Sequence, residues 1–212
     1  MEHVHENQPV LHAGLPLAKA KATMIAIHGR GASAESILQL PLSLNVDGFG
    51  YLAPQARGSS WYPQSFLAPI EQNEPGLSSA LNTLDALVGK VQNAGVPTEK
   101  LILLGFSQGA CLVTEFVARN PRRFGGVVAL SGGLIGPPGT PREYPGELKQ
   151  TPVFLGCSDV DFHIPLERVR ESTRTLSTLG GRVDERIYPG MGHTVNDDEL
   201  AVVRQMMQDV IT

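Results

Sequence analysis

Three short runs leave this chain little choice of architecture. Leu101-Ile102-Leu103-Leu104, Val127-Val128-Ala129-Leu130 and Val153-Phe154-Leu155-Gly156 offer no polar side to water. An extended strand with an alternating pattern can lean one face on solvent, whereas a strand that is apolar on both faces must be covered twice. Between such runs the period lengthens. Leu77, Ala80, Leu81, Leu84, Leu87, Val88 and Val91 recur at helical spacing, and Gly95 and Pro97 stop that helix. Ala22 to Ile27 reads as a β-rich run, Ser33 to Leu40 as helical and Gly50 to Ala53 as extended. Near the end, Arg182 to Tyr188 reads as a late strand and Asp197 to Ile211 as a C-terminal helix. This alternation predicts an α/β fold: a mostly parallel, doubly wound sheet with helices on both faces. At 212 residues, with no internal repeat, one domain spanning 1–212 is expected.

Composition narrows the partners. A net charge of −4 gives no reason to expect nucleic acid. Two cysteines, Cys111 and Cys157, are too few for a disulfide framework and form no zinc-type pair, so both are expected to pack as small apolar residues. The polar N-terminus lacks the pattern of a signal peptide, and no window approaches the roughly 18 apolar residues of a membrane helix. The expected location is the cytoplasm, without membrane insertion. His3, His5 and His12 are types that ligate metals, but the expectation is a mobile terminus leading into an edge strand, with no metal. Asp197, Asp198 and Glu199 are expected to complement the dipole of the last helix from its surface. Gly132 to Gly146, with four prolines, reads as a long irregular stretch, either a pocket rim or a surface excursion.

The chemistry gathers at Gly105-Phe106-Ser107-Gln108-Gly109. This G-x-S-x-G lies directly behind one of the apolar runs and ahead of a helix-like segment, Ala110 to Asn120. Strand, sharp turn and helix is the context that lifts a serine hydroxyl above a sheet. Serine is a poor nucleophile at neutral pH and needs a base, which in turn needs a partner to fix its tautomer. Only His163 and His193 follow Ser107, and His193 alone leaves a carboxylate loop between itself and the serine. His193 is therefore the expected base. Within Gly156 to Pro165 two aspartates compete for the acid: Asp161 is favoured by its D-x-x-I-P spacing, and Asp159 is the alternative by its spacing from Gly156. The Gln108 amide, at a helix N-terminus, and the Arg30 amide, in His28-Gly29-Arg30-Gly31, are the expected oxyanion donors. His28 is expected to be structural, and the Arg30 side chain to face an anionic substrate or solvent.

Taken together, Gly105 to Ala110, His28-Gly29-x-Gly31, the D-x-x-I-P loop and Gly192-His193 resemble the small carboxylesterase/phospholipase group of α/β-hydrolases, which includes acyl-protein thioesterases and lysophospholipases. The resemblance spans nearly the whole chain, departing in its acid loop, which carries two extra residues. It implies an α/β-hydrolase fold with little or no lid, a Ser-Asp-His triad, and neither metal nor organic cofactor. It also implies a monomer or homodimer acting on a small-molecule ester. The segment Ala53 to Tyr62 matches the family's Pro-rich turn, so Trp61 and Tyr62 are expected to line the substrate pocket. Leu134, after a strand's carboxyl end, is the expected further wall. Ester hydrolysis is the leading expectation; thioester or lysophospholipid hydrolysis uses the same machinery. A non-catalytic binding module on the same fold is the reading from a different class.

Overall fold

The computed structural model describes residues 4–212, so His3 lies outside the described residues. Among these, seven strands form one sheet in the order β1-β3-β2-β4-β5-β6-β7. They are β1 (Val10–Gly14), β2 (Ala22–Ile27), β3 (Phe49–Pro54), β4 (Leu101–Phe106), β5 (Gly126–Leu130), β6 (Pro152–Ser158) and β7 (Arg182–Tyr188). The edge strand β1 is antiparallel to β3, and every other pairing is parallel. The three doubly apolar runs occupy β4, β5 and β6, inside the sheet.

Side chains alternate across those strands, and each set meets its own helices. Ile25, Ile27, Leu101, Leu103, Val127 and Ala129 pack with α2 (Gly76–Asn93), α3 (Gln108–Arg119) and α4 (Leu166–Thr178). Met24, Ala26, Ile102, Leu104, Val128 and Leu130 face the other way, against α1 (Ala34–Ser43) and α5 (Asp197–Ile211). Two helices were read differently from sequence. α1 continues through Pro41 to Ser43. α4 has no counterpart in the sequence reading because its buried positions are Arg168, Val169, Ser172 and Leu176, half of them polar.

The N-terminal expectation needs correction at His5. Its ring is buried, Nε2–H donating to the Trp61 carbonyl at 2.9 Å and Nδ1 accepting from the Arg57 amide at 3.2 Å. Burial pushes its pKa down, so it sits there neutral. His12 lies on β1, 3.2 Å from the Lys90 amine. Among the described residues, no group of three or more His, Cys, Asp or Glu is placed to hold a metal.

The proline-rich stretch after β5 is neither a rim nor a surface excursion over its first half. Residues 131–136 are buried. Glu115 of α3 accepts the Ile135 amide at 3.0 Å, and Arg168 donates to the Leu134 and Gly136 carbonyls, each at 2.6 Å. Arg142 and Arg168 share Glu171, at 2.7 and 2.9 Å. A buried carboxylate is stable only when paired and hydrogen-bonded, and Glu115 meets that condition through the loop amide and Arg119 at 2.6 Å. The stretch is thereby stapled onto α3 and α4.

At the start of α5, Asn196 and Glu199 form a reciprocal capping box. Glu199 is not at the surface as its acidic neighbours suggested. It is fully buried against Gly156, and among the described residues its Oε1 has no hydrogen-bond partner. Burial pushes its carboxyl up to about 7, against the single lowering bond from the Asn196 amide. A folded-state value above the unfolded one means the folded chain holds this proton more tightly. Stability from this group is therefore complete below the unfolded value of 4.5 and falls as pH rises towards about 7. Glu199→Gln keeps a cap acceptor without the charge. It is expected to be more stable than wild type above pH 7, by up to about 3 kcal/mol, an advantage that shrinks as pH falls to about 4.5. Thermal melts of both proteins across that range check it; a gap that does not change with pH would sink the assignment.

Candidate active site

Ser107 stands where β4 becomes α3, with φ 54° and ψ −120°. That is left-handed territory for a residue with a Cβ, costing about 1–3 kcal/mol. Its surroundings hold it there. The Ser107 amide donates to the Leu130 carbonyl at 2.9 Å, and its own carbonyl accepts the Cys111 amide at 3.0 Å. The motif glycines answer to close approach: a Cβ at Gly105 would strike the Gly109 carbonyl, and one at Gly109 would strike the Ile27 carbonyl. Helix and strands meet too tightly for any side chain there.

The other candidate side chains come from neighbouring loops at the carboxyl edge of the sheet, where open α/β sheets hold their ligands. His193 follows β7 and Asp161 follows β6. His193 Nε2 lies 2.9 Å from Ser107 Oγ, and His193 Nδ1 lies 2.7 Å from Asp161 Oδ2. The structure thus joins the serine, the histidine and one of the two aspartates in a single hydrogen-bonded line. Asp161 Oδ1 also accepts the His163 and Ile164 amides, at 2.9 and 3.1 Å. Burial works to raise the Asp161 carboxyl, but the bond from His193 and the two amides outweigh it and hold the group below its usual range.

Asp159 has a different place. Its Oδ1 accepts the Gly190 amide at 2.8 Å, and the neighbouring Ser158 Oγ accepts the Gly192 amide at 3.0 Å. These bonds tie the aspartate loop to the histidine loop from outside the line.

Gly29 sits beside the serine, where a Cβ would come within 3.3 Å of Ser107 Cβ. Gly29, Arg30, Ser107 and Gln108 all border one cavity of about 420 Å3. Among the described residues neither the Arg30 amide nor the Gln108 amide is engaged by a hydrogen bond. Their side chains are engaged. Arg30 donates to the carbonyls of Tyr62, Pro63 and Gln64 at 2.8, 2.9 and 2.6 Å, so its guanidinium is held on that segment while the residue stays exposed to solvent. Gln108 Oε1 accepts the Trp61 amide at 2.9 Å, and its Nε2 donates to the Tyr62 carbonyl at 2.8 Å. Arg30 and Gln108 therefore clamp the segment that walls the cavity. His28 is buried, donating from Nδ1 to the Gly29 carbonyl at 2.7 Å and accepting the Ala56 amide on Nε2 at 3.1 Å.

Of the expected substrate contacts, Tyr62 borders the cavity. Trp61 does not. It is fully buried, its indole N–H donating to the His28 carbonyl at 2.9 Å, because that buried donor requires an acceptor and the loop after β2 supplies one. Leu134 is fully buried in the core beneath α3 and α4, drawn in by the Arg168 bonds to its own carbonyl. The cavity wall is completed by Phe66, Phe106, Ile164 and His163, none of which the sequence marks as a substrate contact. Cys111 also reaches it, with its thiol pushed up to about 12 by burial, and so stays protonated and unreactive.

The chain matches the phospholipase/carboxylesterase family over residues 14–211. It belongs to that family. A phospholipase/carboxylesterase of Dyadobacter fermentans has a solved structure that covers 95% of this chain and 97% of its own, with a TM-score of 0.91 and 40% identity. Acyl-protein thioesterase 1 of Debaryomyces hansenii is 27% identical over 96% of this chain and 97% of its own length. A probable carboxylesterase of Oryza sativa subsp. japonica is 30% identical over 86% of this chain and 75% of its own. Membership makes this protein an α/β-hydrolase-fold enzyme that hydrolyses esters. No helix among its described residues is long and apolar enough to cross a membrane.

Proposed function

We propose that this phospholipase/carboxylesterase family member cleaves carboxylic esters of small molecules through an acyl-enzyme on Ser107. The observation that carries the reading is the unbroken line from Ser107 Oγ through His193 to Asp161. Ser107 Oγ attacks the ester carbonyl as His193 Nε2 takes its proton. Asp161 accepts from Nδ1–H, which leaves Nε2 as the free lone pair and stabilises the imidazolium that forms. Negative charge grows on the carbonyl oxygen, and the Arg30 and Gln108 amides receive it. Each such donor contributes roughly 3 kcal/mol to the transition state. The alcohol leaves with the proton from His193, and water then releases the acid by the same steps in reverse roles. A thioester carbonyl follows the same course. The name of the Debaryomyces hansenii relative makes thioesters the second substrate class to try.

Fluorophosphonates phosphonylate an activated serine and leave an idle one alone. Treatment of the intact chain is expected to place one phosphonyl group on the peptide containing Ser107, read by mass mapping. p-Nitrophenyl esters from acetate to laurate should then turn over, their profile sizing the acyl part of the cavity. A folded chain that neither labels nor turns over esters or thioesters would instead be a binding module.

A further inference from the structure

Two large apolar side chains stand out in water on the aspartate loop of this site. Phe162 is 81% exposed and Val160 59% exposed, the highest values for large apolar residues among those described. Both sit in the loop between β6 and α4 that carries Asp161. The loop is held fast: Asp161 accepts two of its amides, and Ser158 Oγ accepts the Val160 amide at 3.2 Å. A pinned loop that holds a phenyl ring in solvent gains nothing for the fold, because the apolar area stays wet.

The rings at this edge run in series. Phe106 lies 5.1 Å from His193, His193 meets His163 edge-on at 4.7 Å, and His163 contacts Phe162 at 4.1 Å, centroid to centroid. Phe162 itself is 6.5 Å from the His193 ring. Proton transfer decides what lies along this edge. His193 Nε2 must reach the oxygen of the departing alcohol in order to protonate it. That alcohol therefore leaves on the His193 side of Ser107, where His163 borders the cavity and Phe162 packs on the outer side of His163. The rest of the cavity, bordered by Tyr62, Phe66 and Cys111, remains for the acyl group.

We propose that Phe162 is a specificity-determining residue for the alcohol portion of the ester, selecting apolar alcohols. The same contact makes those alcohols acceptors of the acyl group in competition with water. The inference rests on the acyl-enzyme reading of Ser107. In the transfer step the alcohol oxygen attacks the acyl carbonyl while His193 Nε2 takes its proton. The tetrahedral adduct then breaks its bond to Ser107 Oγ, which receives that proton from His193. A new ester leaves, and no water is consumed.

The test uses the full chain as wild type, Phe162→Ala and Leu42→Ser, the last a change at an exposed leucine on α1. Ethyl and hexyl acetate share an acyl group and have alcohols of similar acidity, so their kcat/KM ratio reads contact with the alcohol alone. In wild type and Leu42→Ser the ratio is expected to favour hexyl acetate. In Phe162→Ala it should fall roughly tenfold, the worth of one partly buried apolar contact. With p-nitrophenyl acetate as donor and hexanol as acceptor, the hexyl acetate formed per acetate released should fall by a similar factor. Hydrolysis with both ratios unmoved in Phe162→Ala overturns the subsite and leaves the acyl-enzyme standing. Absence of the fluorophosphonate label on wild-type Ser107 overturns both.

Discussion

Ser107→Ala is expected to lower kcat for ester hydrolysis by about 10⁴-fold or more while the protein stays folded. The two halves of that expectation have separate grounds. Ser107 Oγ bonds His193 but makes no capping bond to α3, so its removal takes little from the helix. Alanine meets the same φ of 54° with the same Cβ, so it inherits the backbone cost without adding to it. What vanishes is the atom that, in the proposed mechanism, forms the acyl bond. The residual rate would come from the amides polarising a bound ester towards water. Steady-state turnover of p-nitrophenyl butyrate, beside a melting curve of the same sample, reads both halves. A folded variant that keeps a tenth of the activity would remove Ser107 as nucleophile.

The central architecture was legible because the chain writes it locally. β4, β5 and β6 are apolar on both faces, and α2 shows its stripe without interruption. α4 was illegible for the opposite reason. Its inward face spends Arg168 and Ser172 on holding the loop after β5, so the apolar period is broken where the helix is most buried. His5 and Trp61 share that lesson. A polar run near the N-terminus reads as exposed until the Trp61 carbonyl, 56 residues from His5, is brought to it. Trp61 in turn reads as a pocket aromatic until the His28 carbonyl takes its indole. Leu134 fails as a pocket contact for the same nonlocal cause, since Ser172 and Arg168 draw its backbone inward. The serine and the histidine could be read because each lies in a glycine-marked turn following a recognisable strand. Spacing alone favours Asp161 over Asp159 only narrowly, since it says which residues share a loop but not which carboxylate turns towards another loop.

Those two aspartates should separate by orders of magnitude. Asp161→Asn is expected to cut kcat by about 10⁴-fold, because the amide can present its N–H₂ to His193 Nδ1 and so favour the tautomer with Nε2 protonated. A ring in that state cannot accept the Ser107 proton. The amide also carries no charge to offset the imidazolium. The fold should tolerate the change, since an asparagine carbonyl can still accept the His163 and Ile164 amides that shape the loop. Asp159→Asn keeps its oxygen for the Gly190 amide at the loop junction, and a loss of only a few-fold is expected there. The pair is informative because both variants lose one negative charge within the same short loop. A general electrostatic effect would therefore move them alike. The rates of the two variants on one ester, compared at a pH where wild-type activity is flat, supply the decision. Near-equal losses would mean that loop charge, not a directed bond to His193, sustains the rate. A larger loss in Asp159→Asn would hand the acid role to Asp159 and require the histidine loop to move before chemistry.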